Sequence, residues 1–86
     1  MLLRETIAEH NEDAILFDEF ESAIVGLVET FGKPTVVCYD KEKCIKLIQK
    51  STGGKREEAE EYFEFNVIGS YLGDSTPVFL TLNKHL

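Results

Sequence analysis

The chain has no tryptophan, one methionine, two prolines and two cysteines in eighty-six residues. Cys38 and Cys44 do not form a C-x-x-C pair and read as reduced thiols of a cytoplasmic protein. No apolar run approaches the roughly 18 residues that a membrane-spanning helix needs. The start, Met1-Leu2-Leu3-Arg4-Glu5, lacks a basic region followed by an apolar stretch, so it does not read as a secretory signal. Linkers, internal repeats and low-complexity tracts are missing too, which leaves one domain over residues 1–86. Positive charge is also in short supply: nine Lys and Arg stand against sixteen Asp and Glu, a net charge of −7.

What is present argues for a folded chain. The 43% hydrophobic content is ordinary for a globular protein and argues against disorder. The length is near the lower end of what one core stabilises unaided. Charge is segregated along the chain. Residues 1–29 sum to −7, residues 33–56 to +5 and residues 57–74 to −6. Such blocks serve solubility and internal salt bridging, or they form an acidic face for a basic partner.

Residues 1–12 carry Leu3, Ile7 and Ala8 among polar neighbours, the pattern of a short amphipathic helix or an ordered arm. Ala14-Ile15-Leu16-Phe17 is a compact apolar run flanked by acids and reads as a strand, with Asp18-Glu19-Phe20-Glu21 as a tight acidic turn. Residues 22–29 are rich in β-branched side chains and predict a second strand, with Gly26 marking a bulge or close approach. Phe31-Gly32-Lys33-Pro34 is turn chemistry, and residues 35–39 form the clearest strand. The loop between them is too short for a crossover, so these two strands pair antiparallel.

Asp40 suits a helix N-cap. Cys44, Ile45, Leu47 and Ile48 then share one face, and Gly53-Gly54 stops that helix. A second helix begins near Lys55 or Arg56. Its stripe is Ala59, Tyr62, Phe63, Asn66 and Val67, and its first turns are loaded with glutamate, which the helix dipole favours. Gly69 or Gly73 ends it, and residues 76–82 form a last strand. The expected architecture is α+β: two layers, a mostly antiparallel four-stranded sheet packed by two helices.

No catalytic, cofactor or metal motif emerges. Asp13, Asp18, Glu19 and Glu21 offer oxygen ligands, but their spacing does not match a calcium loop. His10 and His85 lack triad partners, Ser22 lacks a base, and Gly53-Gly54-Lys55 lacks the spacing and hydroxyl of a phosphate-binding loop. Direct nucleic-acid binding is disfavoured, because the basic stretch from Lys41 to Arg56 has no aromatic platform and the acidic faces repel phosphate. Those faces could instead mimic nucleic acid. The candidate contact residues are Asp18, Glu19, Glu21, Glu57, Glu58, Glu61 and Glu64. Asn66, on an apolar stripe, needs hydrogen-bond partners. It either bonds a neighbouring loop or lines a pocket with Tyr62 and Tyr71.

The pattern Glu57-Glu58-Ala59-x-Glu61-Tyr62-Phe63-Glu64-Phe65-Asn66-Val67-x-Gly69-x-Tyr71-x-Gly73-x-x-Thr76-Pro77-Val78-Phe79 resembles a group of short bacteriophage and prophage proteins. Ala14-Ile15-Leu16, Phe20-Glu21-x-Ala23-Ile24-x-Gly26 and Val37-x-Tyr39-Asp40 extend the resemblance over roughly residues 13–80. It carries no functional residue with it. It implies a small phage-type accessory protein in a bacterial cytoplasm that binds a host protein, a defence nuclease among the candidates. The missing catalytic constellation, the small size and the segregated charge make the expected role that of a modulator and not an enzyme. The alternatives are a small-ligand or nucleotide-binding module and a homo-oligomeric structural protein.

Overall fold

The computed structural model describes residues 3–86; the part of the expected arm at Met1 and Leu2 lies outside them. Helix α1 spans Leu3–His10 and is held by one buried side chain, Ile7, while Leu3 and Ala8 are exposed. Asn11 follows and ties this end down. Its Nδ2 donates to the Thr35 carbonyl at 2.8 Å and to Ser75 Oγ at 3.1 Å.

The strand expected at residues 14–17 does not form. Their apolar side chains are used for packing: Ala14, Leu16 and Phe17 lie against the core. Their backbone donors are met outside any ladder, Phe17 N–H by Tyr39 Oη at 2.7 Å and Ile15 N–H by the Ser75 carbonyl at 3.3 Å. Those bonds take up donors that a strand ladder would otherwise use. The acidic turn expected after it is longer, a 3₁₀ stretch over Asp18–Ala23 with a kink at Phe20.

Strands β1 (Ile24–Val28) and β2 (Val36–Asp40) form the expected antiparallel pair, with a register shift between Ile24 and Gly26. Helix α2 (Lys41–Thr52) starts directly after Asp40, whose side chain accepts from the Lys43 N–H at 3.3 Å. It stops at Gly53, where φ is +70°, a left-handed conformation that costs glycine little. Helix α3 (Arg56–Tyr62) follows and runs on without a break into a π-helical segment, Phe63–Ile68.

The last strand, β3, is short (Val78–Leu80) and lies parallel to β2, so the sheet has three strands in the order β1-β2-β3. The expected four-stranded, mostly antiparallel sheet is therefore replaced by a three-stranded mixed one. The reason is topological. Two helices intervene between β2 and β3, and a helical crossover returns the chain to enter the sheet in the same direction. This places β2 in the centre, and Val36, Val37, Cys38 and Tyr39 are all buried, as expected for a strand covered on both faces.

One core gathers Ile7, Phe20, Ala23, Val37, Tyr39, Cys44, Ile45, Ile48, Ala59, Phe63 and Val67. Its middle is aromatic. Phe79 stacks on Tyr39 at 5.8 Å between ring centroids and meets Phe63 edge-on at 5.0 Å. Phe20 meets Tyr39 edge-on at 6.2 Å. These rings fix α3 and the 3₁₀ stretch against the sheet, and so fix everything those segments present to solvent.

Candidate interaction surface

The α3–π segment is apolar on two sides. Ala59, Phe63 and Val67 are buried. Facing away from that stripe, Tyr62 is 50% exposed, Phe65 76% and Ile68 46%. The following loop adds Leu72 and Tyr71, the latter 75% exposed. This loop is held in place by its own bonds. Thr76 Oγ1 accepts the Leu72 N–H at 2.8 Å and donates to the Gly73 carbonyl at 2.6 Å, and Tyr71 Oη donates to Asp74 Oδ1 at 3.1 Å. The Asp74 carboxylate raises the Tyr71 pKa, because ionising the phenol would lose that bond.

The glutamates of α3 divide into engaged and free. Glu58 Oε1 accepts the Lys55 N–H at 3.2 Å as half of a capping box. Glu60 pairs with Arg56 at 3.4 Å and Glu64 with Lys41 at 3.4 Å. Glu57 and Glu61 are exposed and make no ion pair among the described residues. In the other acidic group, Asp18 is paired with Arg4, whose guanidinium pKa that carboxylate raises. The side chains of Glu19 and Glu21 are exposed and unpaired among the described residues.

Asn66 is exposed, not buried on the stripe, and neither it nor Tyr71 lines the cleft that Tyr62 lines. The π-helical geometry is the cause. Bonding to i+5 puts more residues into each turn. Val67, four residues beyond Phe63, still comes round to the core; Asn66, three beyond, falls short of it. Phe65, two residues beyond Phe63, lies on the opposite side at either period, and Ile68 is exposed with it. Reasoning from the sequence missed both residues. Their signal was an apolar pair lying off the main stripe of an otherwise acidic helix, which marks a helix with a second apolar face.

A cleft of about 680 Å³ opens between the 3₁₀ stretch and helices α2 and α3. Glu19 and Tyr62, drawn from the two separate candidate groups, both line it, together with Phe20, Leu47, Ile48 and Lys50. The α2 contributions were not foreseen, because Leu47 and Ile48 read only as part of one apolar helix face in the sequence.

Reactive chemistry is poorly served. Among the described residues no three His, Cys, Asp or Glu side chains gather as metal ligands. Both thiols are buried, and burial pushes Cys44 up to about 12 and raises Cys38, so neither is a ready nucleophile. Among the described residues no helix is long and apolar enough to cross a membrane. Compared with known proteins, the chain matches no family model, no curated protein and no solved structure.

Proposed function

We propose that this chain is a non-enzymatic protein-binding module, a small acidic accessory protein of the phage type that docks on a host protein in the bacterial cytoplasm and modulates it. The observation that carries this reading is the pair of aromatic rings at Phe65 and Tyr71, each about three-quarters exposed on a segment whose conformation is fixed from inside. Rigid, exposed aromatics are the side chains that dominate protein interfaces, since they bury much area at little entropic cost. Glu57 and Glu61, free on the neighbouring helix, give the partner its sign: apolar anchors with Lys or Arg around them. Mimicry of nucleic acid is a weaker version of the same idea. A mimic needs a run of unpaired carboxylates, whereas Glu58, Glu60 and Glu64 are already engaged within the fold.

The test is affinity capture from host lysate at low and moderate salt, run in parallel with two surface variants. Phe65→Ser with Tyr71→Ser should abolish recovery of the partner at both salt concentrations. Glu57→Lys with Glu61→Lys should weaken it most at low salt, where the charges are least screened. All three proteins should show the same circular dichroism, because the altered side chains are exposed. A partner retained equally by both variants would overturn this surface as the site of action.

A further inference from the structure

The cleft beside Tyr62 is a second feature, separate from the Phe65–Tyr71 surface. Its volume, about 680 Å³, falls in the range of about 300–1,000 Å³ typical of small-molecule sites. Phe20 and Ile48, both buried, and the half-buried Leu47 give it an apolar floor. The half-exposed ring of Tyr62 forms a wall. At the rim stand one carboxylate, Glu19, and one ammonium, Lys50, both exposed and neither paired with the other.

The sign of the cleft follows from what surrounds those two groups. Helix α2 ends at this rim with Ser51 and Thr52, and a helix C-terminus carries partial negative charge. The face of the Tyr62 ring is also negative. Glu19 adds a full charge. Lys50 is the one base in the lining, the other α2 lysines standing outside it, and a lysine can lay its stem on the wall while keeping its ammonium in water. A phosphate here would face Glu19 and the carbonyl end of α2, which disfavours a nucleotide. From this balance we infer that the cleft binds a small amphipathic cation, an aromatic or branched aliphatic body bearing one ammonium. The body lies on Phe20, Leu47 and Ile48 against the Tyr62 ring, and the ammonium faces Glu19.

Two probes of the same shape and opposite sign test it: phenethylamine and 3-phenylpropanoate, titrated into the ¹⁵N-labelled full chain at low ionic strength. Phenethylamine should give saturable shifts at the amides of Glu19, Phe20, Leu47, Ser51 and Tyr62, and 3-phenylpropanoate should give weaker ones or none. Because Glu19 is exposed, Glu19→Gln should weaken phenethylamine about two- to fivefold, while Glu57→Gln, outside the cleft, leaves it unchanged. Equal binding of the two probes, shifts centred elsewhere, no saturation at millimolar concentration, or an unaffected Glu19→Gln variant would each overturn the assignment.

Discussion

Arg56 opens α3 and reaches across to α2, where its two terminal nitrogens engage the two carboxylate oxygens of Glu42, one at 2.7 Å. Its Nε also lies 3.4 Å from Glu60. The Glu42 carboxylate is four-fifths shielded from solvent, so it leans on this fork. Hydrogen bonding from Arg56 holds the Glu42 carboxyl at about 2, below its ordinary 4.5. The folded pKa lies below the unfolded one. The pair's contribution is therefore complete above the ordinary value and is lost as pH falls through the folded one. The guanidinium is 40% exposed, and solvent screening reduces the net contribution to about 1 kcal/mol. Glu42→Gln should thus be less stable than the parent by about 1 kcal/mol at about pH 7, and equal to it only below the folded pKa, at about pH 1. Urea midpoints of the two proteins at both pH values check this. A constant difference between them would mean that the carboxylate's charge is not what Arg56 reads.

Elements declare themselves in this chain where their signals are local. The path from β1 through the Gly32 turn to β2, the Asp40 cap and the Gly53 stop is legible because each feature is decided within a few residues by backbone chemistry. Residues 14–17 misread as a strand because an apolar run says that it is buried but not what satisfies its backbone; here Tyr39 and Ser75 do so from far along the chain. The direction of β3 depends on a crossover that no short window contains. The π-helical turn is the most consequential miss, because it moves Asn66 off the expected buried stripe. Gly69 is the residue that permits it. A Cβ there would come within 2.7 Å of the Glu64 carbonyl oxygen and 3.1 Å of that of Phe65. Gly69's φ of −75° is ordinary, so the cost of a side chain is purely steric. Gly69→Ala should destabilise the fold by about 1–3 kcal/mol, as other forced overpacking does. Asn66→Ala, at an exposed position, should stay within about 0.5 kcal/mol of the parent. Denaturation midpoints give both values. A large loss at Asn66 with none at Gly69 would mean that the helix keeps its α period and that Asn66 points inward.

At the scale of the whole molecule, the question is whether a domain this small opens as one unit or in parts. The two buried thiols sit where they can answer it. Cys38 is in the central strand, paired with Gly26 on one side and Val78 on the other, so uncovering it means parting the sheet. Cys44 is on the inner face of α2 and fully buried, so uncovering it means lifting a helix from the core. Both ionise less readily than a free thiol, first because of burial and next because of Asp40. Attack on a disulfide reagent requires the thiolate, so reaction in the native state must pass through an opened form. Val37 and Tyr39 of β2 share one core cluster with Cys44, Ile45 and Ile48 of α2, which leaves no boundary along which the sheet could part while the helix stays seated. With an aromatic disulfide reagent at neutral pH, the two cysteines should therefore react at one slow rate. That rate should rise with urea in step with global unfolding, as it does when exchange is governed by a single cooperative transition. Single variants Cys38→Ala and Cys44→Ala separate the two signals. If Cys38 reacts faster than Cys44, the three-residue edge strand β3 opens independently, and the residues that follow the Tyr71 loop are less firmly held than the rest of the core.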